Sequence, residues 1–199
     1  MPPFNRGRGE LSGRRAVFLD RDGVLIREED YLSAPDRLRL LSGAAAAVKR
    51  LRAGGFKVIV VTNQSGVGRG FFSIKTLAAI HRRLRTELGR SGARLDALYF
   101  CPHLPRDLME RPCSCRKPEI GMIERASRRF GLDLRRSYMV GDSSTDVLAA
   151  RRARMTGLLV RTGYGGRDGR CRAKPFKTFR NLSAAAAWIL KIDQKEGRK

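Results

Sequence analysis

The sequence predicts an α/β protein, a Rossmann-like parallel sheet lying between two layers of helices. Three observations carry this expectation. Short apolar, β-branched runs alternate with helical patterns along the chain. Apolar runs close on polar or acidic residues at Asp20, Thr62 and Asp142, as expected where strands reach the carboxyl edge of a parallel sheet. At 199 residues, 42% of them hydrophobic, the chain suits one domain with a sizeable core.

Taken in order, residues 1–14 are rich in Gly, Arg and Pro and are expected to form a mobile basic tail. A single domain over 15–194 follows, then a short tail at 195–199. The first strand is expected at 16–20, and residues 23–41 as a polar loop able to lie over the sheet rim. Ser42 is placed to cap a helix over 43–53, which Gly54-Gly55 ends. The β-branched run 56–61 fits a central parallel strand. A polar, glycine-rich stretch over 62–70 leads to Ser73, expected to cap an amphipathic helix over 74–90.

Residues 95–100 read as a third strand and 101–117 as a long loop holding three of the four cysteines. Pro118 suits the first turn of a helix reaching Phe130. A fourth strand over 138–140 closes on Gly141-Asp142, and Asp146 starts a further helix. A fifth strand at 158–160, a glycine-rich loop over 163–169 and a last helix at 183–193 complete the order.

Charge narrows the function. Lys and Arg number 42 against 19 acids, a formal net charge of +23, which favours polyanions or phosphorylated partners. The basic residues are spread as pairs along helices, and aromatics, at 7%, do not alternate with them as a single-strand stacking platform requires. Nothing reads as a secretory signal, and no apolar run approaches the roughly 18 residues that span a bilayer. A cytoplasmic, monomeric protein with no membrane attachment is therefore expected.

The motif Asp20-Arg21-Asp22-Gly23 ends the first strand in two carboxylates and a turn. Such acids can share a hard cation, or one can attack while the other moves protons; a capped turn is the plain alternative. Thr62-Asn63, Lys117 and Asp142 come to the same expected edge, and three carboxylates, a hydroxyl and an amine there suit phosphoryl chemistry. Cys101-x-His103 and Cys113-x-Cys115, nine residues apart, offer the ligand set of a closed tetrahedral Zn²⁺ site. Gly66-x-Gly68-x-Gly70 lacks the lysine of a nucleotide phosphate loop. His81 reads as a satisfied or solvated helix residue, and Cys171 as a free thiol.

Asp20-Arg21-Asp22-Gly23-Val24, Thr62-Asn63-Gln64-Ser65-Gly66, Lys117 and Gly141-Asp142-x-x-x-Asp146 together resemble the ordered motifs of the haloacid dehalogenase (HAD) superfamily of phosphohydrolases. The cysteine loop running into Cys115-Arg116-Lys117-Pro118 is similar to that of its heptose bisphosphatase and histidinol phosphatase branch. The likeness covers roughly residues 16–163. It implies a HAD-like sheet with a zinc-binding loop and no large cap domain. It also implies Asp20 as nucleophile, Asp22 as proton donor and acceptor, and Mg²⁺ held by Asp20, the Asp22 backbone carbonyl and Asp142.

Thr62, Asn63, Gln64, Ser65 and Lys117 would bind the phosphoryl group, Arg116 a second anionic group, and Glu28 and Tyr31 the sugar. Where some close relatives carry Lys, position 143 is Ser, so no charge role follows for it. Asp146 is open between orienting metal ligands and capping a helix. The implied reaction removes the 7-phosphate of D-glycero-D-manno-heptose 1,7-bisphosphate. Histidinol phosphate is the alternative substrate, with a nucleic-acid 3′-phosphatase or a non-enzymatic basic zinc module behind it.

Overall fold

The computed structural model describes residues 13–110 and 112–196. Six strands form one sheet: β1 Ala16–Leu19, β2 Lys57–Asn63, β3 Ala97–Cys101, β4 Tyr138–Gly141, β5 Thr156–Val160 and β6 Lys177–Phe179. All pair in parallel, in the spatial order β3-β2-β1-β4-β5-β6. The helices are α1 Ala44–Ala53, α2 Ser65–Gly68, α3 Ile74–Arg90, α4 Gly121–Phe130, α5 Ser144–Arg152 and α6 Leu182–Glu196.

Successive strand residues point to opposite faces. Val17 and Leu19 of β1 pack with apolar residues of α1, α3 and α6. Ala16 and Phe18 pack with those of α4 and α5. Both faces of the sheet are covered, which explains why its strands read as apolar runs without alternation. Among the described residues no insertion forms a separate cap domain.

Several local expectations are corrected. The sixth strand, Lys177-Thr178-Phe179, is absent from the five-strand reading because it is short and mostly exposed. It is held by β5 and by Phe179 against Trp188, with ring centroids 5.7 Å apart. β2 continues through Thr62 and Asn63, expected in a loop, because Phe100 and Cys101 of β3 supply their partners. Ser42 does not cap α1. The cap is Gly43 at φ 75°, whose carbonyl accepts from Ser183 Oγ at 3.0 Å. Ser73 does cap α3, accepting from the Thr76 amide at 3.0 Å.

Pro118 stands ahead of α4, in a turn closed by the Glu119 amide on the Arg116 carbonyl at 2.7 Å. The 23–41 segment is less polar in place than expected. Val24, Leu25 and Ile26 are fully buried, Ile26 bridges Leu40, and residues 28–32 reach the rim. Of the two expected tails, residues 1–12 and 197–199 lie outside the described residues. Arg14 already bridges Leu132, and α6 runs through Glu196.

In this strand order the chain crosses over in opposite directions on either side of the β1–β4 pair. Such a switch point leaves a crevice beyond the carboxyl ends of its two strands. Asp20 follows β1 there and Asp142 follows β4.

Candidate active site

The crevice is lined by Asp20, Asp22, Glu28, Tyr31, Asn63, Gln64, Ser65, Arg116, Lys117 and Asp142. Nine of these were expected to bind or react with substrate, and Asp142 to hold metal. Asp20 accepts from Lys117 Nζ at 2.9 Å, and the same ammonium lies 2.6 Å from Asp146 Oδ1. Lys117 also donates to the Val61 carbonyl at 2.8 Å. Its three donors are thus engaged inside the protein, where the side chain is 1% exposed. Burial pushes the Lys117 ammonium toward losing its proton, but Asp146 and Asp20 outweigh this and leave its pKa raised.

Lys117 is delivered by two hydrogen bonds between chains of the fold far apart in sequence. Asn63 Nδ2 donates to the Lys117 carbonyl at 3.0 Å, and the Lys117 amide donates to Asn63 Oδ1 at 2.9 Å. Asn63 therefore positions the lysine. Thr62 does not line the crevice, contrary to its expected phosphate contact. It is 1% exposed, and its hydroxyl accepts from Gln64 Nε2 at 2.8 Å. The reason is register: Thr62 is still in β2, with its side chain turned inward.

Asp22 is held apart from the other acids. Arg21 grips both its oxygens, Nε to Oδ2 at 3.0 Å and Nη2 to Oδ1 at 2.9 Å, and Gln64 Nε2 donates to Oδ2 at 2.9 Å. This bidentate, charge-assisted clamp fixes the position and orientation of the Asp22 carboxylate. Arg21 was overlooked as a functional residue, although an arginine between two acids at a strand end was its signal. Its other neighbour is His81 Nε2, at 3.3 Å from Nη1, with the ring tilted against Phe100.

Burial first, and then the charges of Arg21 and Arg85, push the His81 imidazole down from 6.5 to about 3. It is a satisfied, neutral acceptor, as expected. A base whose folded pKa is lowered stabilises fully above its unfolded pKa, and the benefit is lost as pH falls toward the folded one. At roughly 1.4 kcal/mol per pH unit, native protein should lose about 2 kcal/mol more than His81→Gln between pH 7 and pH 5. Urea unfolding of both at the two pH values checks this, and parallel losses would contradict it.

Asp142, Asp146 and Asp20 place carboxylate oxygens within 4.8 Å of one another. Asp142 Oδ2 accepts from the Tyr164 amide at 2.7 Å. Gly23 at φ 70° and Gly163 at φ 65° close on this oxygen from two sides, and a methyl at either would overlap it. Burial, then the charges of Asp20 and Asp146, raises Asp142 to about 9. Burial likewise raises Asp20 to about 6 against the pull of Lys117. Glu28 rises to about 8 through burial and the charges of Asp22 and Asp20. Acids that resist joint ionisation, with hard oxygen donors converging, fit a divalent cation such as Mg²⁺. The Asp22 side chain lies outside this cluster.

Of the two roles left open for Asp146, the hydrogen bonds give it the one at the helix start. Its Oδ2 accepts from the Ser143 amide at 3.1 Å and hydroxyl at 2.6 Å at the start of α5, while Oδ1 faces Lys117. Ser143 is thus a helix-start residue.

The cysteine loop meets its expectation of a clustered donor set. Cys101 Sγ lies 3.4 Å from His103 Nδ1, 3.6 Å from Cys113 Sγ and 3.2 Å from Cys115 Sγ. Donors separated by such distances can surround one tetrahedral ion, and three thiolates with an imidazole suit Zn²⁺. Cys171 is a free thiol, 3.2 Å from Ser144 Oγ. Tyr164 and Arg170 line the crevice without having been expected there. The glycine-rich loop carrying Tyr164 was visible in the sequence, but nothing local tied it to the site.

A parallel sheet whose switch-point crevice pairs a strand-end aspartate with a buried lysine and two further carboxylates defines a HAD-type phosphohydrolase. The family profile HAD-hydrolase-like matches residues 114–185. The D-glycero-beta-D-manno-heptose-1,7-bisphosphate 7-phosphatase of Rhodopseudomonas palustris is 43% identical over 147 residues, 72% of this chain and 82% of the relative. The D-glycero-D-manno-heptose-1,7-bisphosphate 7-phosphatase of Thermosynechococcus vestitus is 43% identical over 187 residues, 88% of this chain and 95% of the relative. A crystal structure of D,D-heptose 1,7-bisphosphate phosphatase from B. bronchiseptica, complexed with magnesium and phosphate, superposes with a TM-score of 0.79 at 36% identity. It covers 89% of this chain and 99% of that one. The chain belongs to the haloacid dehalogenase superfamily, in the branch of the heptose bisphosphate phosphatases, and is a phosphatase.

Proposed function

We propose that the protein hydrolyses the 7-phosphate of D-glycero-D-manno-heptose 1,7-bisphosphate through an aspartyl-phosphate at Asp20. The observation that carries this reading is Lys117, buried against Asp20 and Asp146 on the crevice that also holds Asp22 and Asp142. An Asp20 oxygen attacks phosphorus, and the bond from phosphorus to the sugar oxygen breaks. Asp22, protonated at that moment, gives its proton to the departing oxygen. As the carboxylate clamped by Arg21 and Gln64, it then takes a proton from the water that attacks phosphorus, and the Asp20–phosphorus bond breaks.

Mg²⁺ held by Asp20, the Asp22 backbone carbonyl and Asp142 would offset repulsion between carboxylate and phosphate. Lys117, its three donors committed to Asp20, Asp146 and the Val61 carbonyl, holds Asp20 and offsets negative charge beside the phosphoryl group. Ser65 steadies the phosphoryl oxygens, Arg116 takes a second anionic group, and Glu28 and Tyr31 face the sugar. Zn²⁺ at Cys101, His103, Cys113 and Cys115 would hold the loop that carries Arg116 and Lys117. Its influence reaches Arg116 directly, since Nη1 donates to the His103 carbonyl at 3.1 Å. We place the enzyme in the cytoplasm as a monomer acting on a small phosphorylated sugar. No helix among the described residues is long and apolar enough to cross a membrane.

A turnover panel with both heptose bisphosphate anomers, histidinol phosphate and a 3′-phosphorylated oligonucleotide tests the reading, with zinc content measured on the same preparation. A heptose bisphosphate should be preferred by at least tenfold in kcat/KM, with one zinc per chain. Equal or greater turnover of histidinol phosphate or the oligonucleotide would overturn the substrate assignment.

A further inference from the structure

Beyond the residues that handle the transferring phosphate, the crevice carries two guanidiniums, Arg116 and Arg170. Among the described residues neither makes an ion pair with a carboxylate. Arg21, the third arginine on the crevice, is committed to Asp22. Two unneutralised like charges on one wall are costly unless an anion joins them.

Arg170 is also held in place to an unusual degree for an exposed side chain. Its guanidinium lies over the Tyr164 ring, 5.0 Å from the centroid. The loop bearing both residues is fastened to the start of α5 and to Asp142 at four points. The Tyr164 amide donates to Asp142 Oδ2 and the Gly166 amide to the Asp142 carbonyl, both at 2.7 Å. Asp168 accepts from the Ser144 amide and hydroxyl, both at 2.7 Å. The Cys171 amide donates to Ser144 Oγ at 3.1 Å. Residues 168 and 171 thus bracket Arg170 on a single serine, two positions after Asp142. Fixing a charge beforehand in this way reduces the ordering cost of binding an anion.

We propose that Arg170 is a specificity-determining residue that, together with Arg116, takes the second phosphate of a bisphosphorylated substrate while Asp20 attacks the first. The inference rests on the bisphosphatase reading above. Planar guanidiniums match phosphate oxygens in pairs, and two of them match the two charges of a phosphate dianion. Ser144 and Asp168 act one step back, as positioning residues that hold the loop. Nothing in the local sequence around Arg170 signals this. The loop reads as a basic, glycine-rich linker, and only its hydrogen bonds to α5 give the arginine a fixed place.

The test compares kcat/KM for heptose 1,7-bisphosphate and for heptose 7-phosphate, which lacks the distal group. Arg170→Ala should lower the ratio of the two roughly 10- to 100-fold, as expected for losing one charge-assisted contact, with the change mainly in KM for the bisphosphate. Arg170→Lys should restore part of the ratio, and Ser144→Ala should give an intermediate loss by loosening the loop. A native enzyme that prefers the bisphosphate but keeps its ratio in Arg170→Ala would overturn the role of Arg170 and leave the bisphosphatase reading standing. A native enzyme without that preference would overturn both.

Discussion

Asp20→Asn leaves a folded protein whose turnover has fallen by at least about 10³-fold, because an amide oxygen cannot form the aspartyl-phosphate. The fold should survive. The Asp20 carboxyl is buried and raised to about 6, so its charge is held against the preference of its surroundings. Asparagine keeps the shape, and Lys117 retains Asp146 at 2.6 Å as its counter-charge. A thermal midpoint within a few degrees of the native one, with the zinc content unchanged, would show that the lost rate is chemical. Turnover of native size in Asp20→Asn would sink the covalent route outright.

Lys117→Met should damage both stability and rate. The ammonium neutralises two buried acids, and removing one partner of a buried ion pair typically costs about 3–5 kcal/mol. In a chain of this size that is a fall of very roughly 10 °C in the thermal midpoint. The loss should depend on pH in a defined direction. Without the ammonium, Asp20 loses the charge that opposes its burial, and its raised pKa rises further. Such a group contributes stability below its unfolded pKa, and it disappears as pH rises through the folded one. The variant should therefore be closest to native near pH 5 and furthest from it near pH 8, measured by urea unfolding without added divalent cation. A penalty that grew on acidification would contradict the bridging role.

Much of this site was legible because its parts stand at strand ends. Asp20 and Asp142 each follow an apolar run, and such an ending is a local signal that a parallel sheet converts into proximity. The zinc ligands were legible as a spacing of residue types. What escaped were pairings between distant residues whose individual identities are unremarkable. Gln64 on Asp22, His81 on Arg21 and Ser144 on Asp168 join segments that share no periodicity or motif. The same holds for Thr62. Its type suits phosphate binding, but its place inside β2 depends on Phe100, its partner in β3. The β6 strand escaped for a different reason, since three mostly exposed residues at a sheet edge bury too little to leave an apolar pattern.

The seat of Asp142 has a consequence for how the protein comes into being. Its carboxylate is enclosed by Gly23, Gly163 and the Tyr164 amide, three positions drawn from opposite ends of the chain. β1, the first strand made, finds its neighbour β4 only in the last third of the sequence. On the ribosome, then, Asp20, Asp22 and Lys117 emerge well before the two carboxylates that complete their cluster. A nascent chain that stops short of β4 has the attacking group and its lysine, but half the counter-charge and one wall of the crevice. The crevice therefore lacks its metal-binding wall until the segment from β4 through Tyr164 has been made.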